Sequence, residues 1–140
     1  AWLDGGGRAD ATYECGKSTG LTLLMKAVLH GHERVVELLL RHGAKVNLHD
    51  SDGYTSLMYA TGNSHERVVD LLIRRSAELN VQNSKGKTAL MLAANQGHER
   101  AVDLLIRHGA ELNLQDSNGY TALMYAASLN RPAVVRRLLR

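Results

Sequence analysis

Hydrophobic and polar positions along this chain repeat at an interval of 33 residues, counted from Gly53 to Gly86. The clearest copy spans residues 86–116, GKTALMLAANQGHERAVDLLIRHGAELNLQD, and shifting the sequence by one interval superposes it on its neighbours. The superposed residues are Gly20, Gly53, Gly86 and Gly119; Thr22, Thr55, Thr88 and Thr121; and Leu24, Leu57, Leu90 and Leu123. The pattern therefore predicts an array of four related units.

Each unit predicts two short helices. The superposed threonine is a suitable N-cap for the first helix, because its hydroxyl can accept a hydrogen bond from a free N–H of the first turn. The second helix carries apolar residues on more than one face. These are Val35, Val36, Leu38, Leu39 and Leu40; Val68, Val69, Leu71, Leu72 and Ile73; and Ala101, Val102, Leu104, Leu105 and Ile106. A single short partner cannot cover them, so we expect each second helix to be sandwiched between neighbouring units.

Polar segments rich in Asn, Asp, Ser and Gly follow the second helices: NLHDSDGY, NVQNSKGK and NLQDSNGY. This composition predicts hairpin-like turns, in which the first asparagine bonds its own backbone. Gly43 and Gly109 suit the left-handed position just after a helix. Ser76 occupies that position in the second unit, which should cost up to about 1 kcal/mol if φ stays positive.

The interval, the two helical patterns and the motif T-x-L-x-x-A resemble the ankyrin repeat. The motif reads TLLMKA, TSLMYA, TALMLA and TALMYA, and the units span about residues 17–49, 50–82, 83–115 and 116–140. The resemblance implies an all-α repeat solenoid of stacked helix pairs with projecting hairpin-like loops. It also implies a concave face, made by the hairpin tips and first helices, on which partners bind. Asn47, Asn80 and Asn113 are placed like ankyrin asparagines that a cytosolic oxygenase hydroxylates.

The chain departs from the commonest family motif, T-P-L-H, because methionine replaces the histidine in every unit. The methionines are Met25, Met58, Met91 and Met124. We interpret them as adaptable core packing. The hydrogen bonds between units that the family histidine supplies should then be missing, so the array is expected to depend more on apolar contacts.

The two ends also depart from the pattern. Residues 1–19 form a leader that we interpret as an irregular cap or linker before the ankyrin-repeat domain of residues 20–140, because residues 5–7 are all glycine. Trp2 and Leu3 could cover the first unit. In the last unit Arg137 occupies the slot of Leu104, as expected if this slot faces water beyond a terminal repeat. We therefore expect the array to end there.

Composition and charge exclude some functions. No apolar run approaches the roughly 18 residues that span a bilayer, and the single Cys15 cannot form an internal disulfide, so we expect a cytoplasmic or nuclear location. The net charge is +3 and the pI near 9.2. Most basic residues nevertheless follow an acid by four positions, as in the pairs Glu37–Arg41, Asp70–Arg74 and Asp103–Arg107. The cluster Arg131, Arg136, Arg137 and Arg140 is interpreted as a solubilising end, with a phosphate-binding patch as the alternative.

Catalytic, metal and nucleotide sites find little support. His32, His65 and His98 occupy one slot in successive units, which indicates a repeated structural role rather than converging zinc ligands. Residues 11–18, ATYECGKS, satisfy a loose phosphate-loop pattern, but no strand is predicted before them and Ala11 replaces the usual glycine. No nucleophile, base and orienting group recur together, so we expect no enzyme and no cofactor.

The candidate binding residues are those that vary between units while the framework stays constant. They are Leu21, Tyr54, Lys87 and Tyr120 after the turn glycine, and Lys26, Tyr59, Leu92 and Tyr125 in the first helix. Tyrosine is enriched at binding hot spots, although Tyr59 and Tyr125 could instead pack between helices. A polar rim surrounds them: Ser51, Asp52, Ser84, Lys85, Ser117, Asn118, His49, Gln82 and Gln115.

These residues predict a non-catalytic module that binds another protein or an extended peptide on the concave face, with no small-molecule or membrane partner. Two alternatives remain. One is a nucleotide- or RNA-binding array using Lys17, Lys26, Lys85, Lys87 and the C-terminal arginines, although the mixed charge of the rim argues against it. The other is an intramolecular scaffold or spacer within a larger protein.

Overall fold

Four pairs of short helices follow one another in a computed structural model, which describes residues 10, 12–15 and 18–140. Two strands precede the helices. The elements are β1 Thr12–Cys15, β2 Ser18–Thr22, α1 Leu23–Leu29, α2 Glu33–Arg41, α3 Ser56–Gly62, α4 Glu66–Arg74, α5 Ala89–Gln96, α6 Glu99–Arg107, α7 Ala122–Ser128 and α8 Pro132–Leu138. First helices pack on first helices of the next unit, and second helices pack on second helices. The predicted all-α repeat solenoid is confirmed.

Local signals in the sequence explain where the helices begin and end. Each predicted threonine caps its first helix, and its hydroxyl accepts a hydrogen bond from the methionine amide three residues on at 3.1 to 3.3 Å. The left-handed positions after α2 and α6 are glycines, with φ of 88° at Gly43 and 92° at Gly109. Ser76 adopts φ of 66°, so the predicted cost of a non-glycine residue applies to the second unit.

The predicted turns form, and they are connected to one another. Asp50, Asn83 and Asp116 each donate their amide N–H across the turn to a carbonyl four residues on, at 2.9 Å. The asparagine prediction is wrong in one respect. Asn47 Oδ1 accepts from the amide of Glu78 at 2.8 Å, and Asn80 Oδ1 accepts from that of Glu111 at 2.9 Å. These side chains therefore bond the loop backbone of the next unit rather than that of their own turn.

Histidines supply hydrogen bonds between units, contrary to the expectation that such bonds would be missing. A ring nitrogen of His65 lies 3.1 Å from the carbonyl oxygen of Leu29, and one of His98 lies 2.8 Å from that of Thr61. Since a carbonyl can only accept, the imidazole donates in both cases. The repeated structural role is confirmed for His65 and His98, and it compensates for the methionines in the family motif.

The core prediction is correct for three of the four methionines. Met25, Met58 and Met91 are at most 2% exposed, whereas Met124 is 46% exposed. The side chains of this slot face the following unit. Within the part of the chain that the structure describes, no unit covers Met124.

Arg137 does not mark an outer face, so that interpretation is wrong. Its guanidinium bonds Asp103 Oδ1 at 2.7 Å and Glu99 Oε2 at 3.1 Å, both in the preceding unit. Leu38, in the same slot of the first unit, is 50% exposed although a unit follows it. The slot therefore faces the preceding unit.

The charge pairing also differs from the sequence expectation. Arg74 bonds Asp70 at 3.0 Å as predicted. Asp103 bonds Arg137 rather than Arg107, because α8 packs beside α6 and brings the arginine within reach. Among the described residues, the third predicted pair, Glu37 with Arg41, shows no ion pair.

The leader is more regular than predicted. β1 and β2 form an antiparallel hairpin with Thr12 opposite Thr22, and β2 contacts α1. Asp10 Oδ1 accepts a hydrogen bond from the Lys45 amide at 2.7 Å. Lys45 occupies the slot of Glu78, so Asp10 substitutes for the asparagine of a preceding unit. The proposed cap of Trp2 and Leu3, and the glycines at 5–7, lie outside the described residues.

Candidate interaction face

The hairpin tips and first helices lie along one side of the stack, which we call the interaction face. This face carries an open groove of about 440 Å³ between the first three units. The lining residues are Leu29, Asp52, Tyr54, Met58, Tyr59, Gly62, Asn63, Leu92 and Gln96. Of the predicted site residues, the groove brings together Tyr54, Tyr59, Leu92 and Asp52.

The second unit carries a tyrosine pair held by a buried carboxylate. The rings of Tyr54 and Tyr59 lie 5.2 Å apart between centroids and are tilted by 30°. The Tyr59 hydroxyl donates to Asp50 Oδ2. Asp50 Oδ1 accepts from the amides of Asp52 at 3.0 Å and Tyr54 at 2.9 Å. Both oxygens of a carboxylate that is only 3% exposed are therefore satisfied.

The fourth unit repeats this arrangement. The ring centroids of Tyr120 and Tyr125 are 5.4 Å apart, and the Tyr125 hydroxyl donates to Asp116 Oδ2. Asp116 Oδ1 accepts from the amides of Asn118 and Tyr120, each at 2.9 Å. The second tyrosine pair lies outside the groove, one unit beyond Leu92.

The third unit has neither the tyrosine nor the carboxylate. Asn83 Oδ1 accepts from the amides of Lys85 at 3.0 Å and Lys87 at 2.9 Å, as the aspartates do. Leu92 occupies the first-helix slot, so no hydroxyl reaches the second polar atom of Asn83. The Asn83 amide holds this turn through Oδ1, without the charge that a second carboxylate oxygen would bury.

Sequence reasoning did not single out Asp50, Asn83 or Asp116. The signal was present, because aspartate stands nine residues before tyrosine in two units and asparagine stands nine before leucine in the third. The same contacts show that the hydroxyls of Tyr59 and Tyr125 bond the turns. Tyr59 also lines the groove, so a binding role for these two rings stays a prediction.

Burial and the carboxylate set the protonation of these tyrosines. Burial, followed by the hydrogen bond to Asp116 and its charge, raises the pKa of Tyr125 to about 12. Burial and Asp50 raise the pKa of Tyr59 in the same way. Burial alone would raise the pKa of Asp116, but the hydrogen bonds from Tyr125, Tyr120 and Asn118 outweigh it and lower the pKa. At neutral pH the Tyr125 hydroxyl therefore donates to an ionised Asp116 carboxylate.

A late phase of tyrosine ionisation is expected. Because the folded pKa of Tyr125 is about 12 against an ordinary value of 10, its bond stabilises the fold fully below pH 10 and is lost as pH rises toward 12. An absorbance titration of tyrosinate should show a late component that Tyr125→Phe diminishes. Tyr120→Phe, its matched control, should leave that component in place. Loss of the late component in Tyr120→Phe would contradict its assignment to Tyr125. A late component of unchanged size in Tyr125→Phe would contradict it as well.

The outer tyrosine of each pair is partly exposed to solvent. Tyr120 is 43% exposed and Tyr54 is half-buried. Neither hydroxyl makes a hydrogen bond to another described residue. Lys87 lies between the two pairs, with its Nζ 5.4 Å from the centre of the Tyr125 ring. This distance is typical of a cation–π contact and places a positive charge over the Tyr125 ring.

The predicted polar rim is exposed at all nine positions. Its backbone is fixed, because the Ser84 amide donates to the Asp52 carbonyl at 3.0 Å and the Ser117 amide donates to the Lys85 carbonyl at 2.9 Å. Gln82 also links tips, since its Nε2 lies 2.9 Å from the carbonyl oxygens of both Gly86 and Gln115. Gln82 therefore stabilises the face as well as lining it.

The residues proposed for the nucleic-acid alternative are dispersed. Lys85 and Lys87 lie on the interaction face, Lys26 is half-buried on α1, and Lys17 lies outside the described residues. Arg137 is neutralised by Asp103 and Glu99. The phosphate-loop pattern was expected to lack a strand, yet β1 lies within it. Its Ser18 begins β2 rather than a helix, so the strand–loop–helix arrangement is not formed.

Among residues 10, 12–15 and 18–140, no three His, Cys, Asp or Glu side chains converge in a way that could hold a metal ion. No helix in that part of the chain is long and apolar enough to span a membrane.

Comparison with known proteins identifies one family. A family model described as ankyrin repeats in three copies matches residues 3–83 and, in an overlapping second match, residues 63–140. The first match begins within the leader, before the four helix pairs. A search of curated proteins gives no match.

Proposed function

We propose that this chain, which belongs to the ankyrin-repeat family, binds another protein or an extended peptide on its interaction face. Members of the family are generally non-catalytic modules for protein–protein interaction. The finer assignment, of this face and of its tyrosines, is ours.

The observation that supports the proposal is that the two tyrosines of each pair make different contacts. Tyr59 and Tyr125 donate to buried carboxylates, while Tyr54 and Tyr120 lie against them with tilted rings and keep their own hydroxyls unbonded within the described chain. A ring supported from beneath offers contact area with few rotors to freeze on binding. Tyr54 and Tyr120 are therefore suited to act as anchors.

Rigidity of the face favours the same function. The hairpin tips are joined by backbone hydrogen bonds, and the turns are tied internally by Asp50, Asn83 and Asp116. A surface that is already ordered loses little conformational entropy on binding, so a few anchors can supply much of the affinity. The groove between Tyr54 and Leu92 would receive an apolar side chain of the partner.

Removal of both anchors should abolish binding. We expect Tyr54→Ala combined with Tyr120→Ala to lose the protein that the wild-type chain retains from a cell lysate, at two salt concentrations. Truncating a hot-spot tyrosine costs about 2 kcal/mol or more, so the double change should weaken binding at least about 1000-fold if the two losses add. Circular dichroism should show that the variant stays folded.

A matched control uses exposed apolar residues on another face. Val35 and Leu38 are 46% and 50% exposed on α2, so Val35→Ala with Leu38→Ala should keep the partner. A partner retained equally by wild type and the tyrosine variant would refute the anchor assignment. Nucleic acid that is released at high salt, whatever the tyrosines, would favour the basic-residue alternative. Absence of any retained molecule would favour the spacer.

A further inference from the structure

The third unit places two lysines in the middle of the interaction face. Lys85 stands at the hairpin tip, in the slot of Asp52, and Lys87 follows the turn glycine, in the slot of Tyr54. Lys85 is exposed and Lys87 is half-buried. The hairpin segment NSKGK that carries them contains no acid. This hairpin therefore gives the centre of the face a positive charge, with the exposed Asp52 one unit before it.

Neither lysine is neutralised by an ion pair within the described chain. The carboxylates of the described residues that form ion pairs bond arginines on the second helices, not Lys85 or Lys87. Asp116, in the adjacent turn, interacts with Lys87 only through its charge. It is 7% exposed and already accepts from two amides and the Tyr125 hydroxyl. An external carboxylate would therefore give these ammonium groups their first bonded anion.

The groove beside the lysines suits an apolar side chain. Its lining includes apolar and aromatic residues from three units: Leu29, Met58, Leu92, Tyr54 and Tyr59. The lysines do not line it, and the Lys87 ammonium lies toward the fourth unit, over the Tyr125 ring. A partner residue in the groove and a partner residue bound to Lys87 would thus occupy successive positions along the stack.

The spacing of the units relates these two positions. Packed helices lie about 8–10 Å apart, and an extended chain advances about 3.3 Å per residue. One unit of the stack therefore corresponds to about three residues of an extended segment that lies along the face. Hydrogen bonds between neighbouring hairpin tips keep the positions fixed, since the Ser84 amide donates to the Asp52 carbonyl and the Ser117 amide donates to the Lys85 carbonyl.

We propose that the interaction face binds an acidic segment, in which Lys85 and Lys87 hold one Asp or Glu and the groove holds one large apolar side chain about three residues away. This inference rests on the proposed function and specifies the chemistry of the partner. Asp52 lines the groove and would repel an acid there, so the acid lies on the fourth-unit side of the apolar residue. The same aspartate disfavours a nucleic-acid strand, because regularly spaced phosphates would have to pass it.

Random peptides displayed on phage and selected on the full chain test this proposal. We expect the selected sequences to share an Asp or Glu about three positions from Leu, Ile, Met, Phe or Trp. Fluorescence anisotropy then gives the Kd of the most enriched peptide. Replacing its acid by lysine should weaken binding to the wild-type chain about 10-fold or more. The lysine peptide should bind Lys85→Glu more tightly than it binds the wild type.

A matched pair of charge reversals separates the lysine site from net charge. Lys85→Glu should weaken binding of the acidic peptide about 5-fold or more, and Lys87→Gln about 3-fold. Lys45→Glu changes the net charge equally, in the loop after α2, and should leave the Kd within about 2-fold. Both reversed positions carry an acid in another unit, Asp52 or Glu78, so both variants should stay folded.

The outcomes distinguish this inference from the proposed function. Peptides that need Tyr54 and Tyr120 but carry no acid at this spacing would overturn the inference alone, as would equal effects of Lys85→Glu and Lys45→Glu. Peptides that bind regardless of the two tyrosines would instead refute the anchor assignment. If no peptide is selected while the lysate partner is retained, the partner is not an extended acidic segment. Oligothymidylate that displaces the peptide at low salt would assign the lysines to phosphate and would also overturn the inference.

Discussion

Met91→Lys is expected to destabilise the array severely, whereas Met124→Lys in the same slot should be nearly neutral. Met91 is 2% exposed and lies where α7 packs on α5, so a lysine there would lose its hydration without gaining a counter-ion. An unpaired buried charge costs about 3–5 kcal/mol, a large share of the roughly 5–15 kcal/mol that stabilises a domain. Urea denaturation would measure the difference in unfolding free energy.

Two comparisons make that result interpretable. Met91→Leu conserves volume and polarity and should cost less than about 1.5 kcal/mol, which separates the charge from the change in shape. Met124→Lys should change the unfolding free energy by no more than about 0.5 kcal/mol, as for an ordinary surface substitution. Equal losses from Met91→Lys and Met124→Lys would show that position in the stack does not decide burial.

The contrast between these two methionines shows how far the sequence predicts the fold. The repeated interval predicts the helices, their threonine caps and the turns, because those depend on residues within one unit. It cannot distinguish Met91 from Met124, because burial depends on a neighbouring unit. Arg137 was misassigned for a related reason, since spacing does not show whether a slot faces the preceding or the following unit.

Contacts between loops that are far apart in the sequence could not be predicted either. The leader lacks the repeated interval, so nothing indicated that Asp10 would bond the Lys45 amide in place of a preceding asparagine. Variation among units singled out the tyrosine slots, and their part in binding stays a prediction. The hydrogen bond of Tyr59 was not predictable, because it depends on a carboxylate nine residues away that is buried only once the turn has closed.

Asp50→Ala should be the most destabilising change on the interaction face. It would remove the acceptor of the Asp52 and Tyr54 amides and of the Tyr59 hydroxyl. At about 1 kcal/mol or more for each group left without a partner, we expect a loss of about 3 kcal/mol. Asp50→Asn keeps the oxygen that holds the turn, as Asn83 does, and should cost about 1 kcal/mol. Since Asp50 helps to raise the pKa of Tyr59, Asp50→Asn should also lower that pKa, so that Tyr59 ionises at a lower pH.

The third unit lacks the aspartate–tyrosine pair, so the pair can be introduced there by substitution. Asn83→Asp would bury a second carboxylate oxygen opposite Leu92, which offers no donor, so it should destabilise the chain by about 1–3 kcal/mol. Adding Leu92→Tyr supplies the hydroxyl that Asp50 and Asp116 receive, and should recover most of the loss. A double-mutant cycle of unfolding free energies measures the coupling. No coupling between positions 83 and 92 would mean that the aspartate–tyrosine pairs coincide by chance, whereas coupling above about 1 kcal/mol would establish them as units that stabilise the turn and support the outer tyrosine.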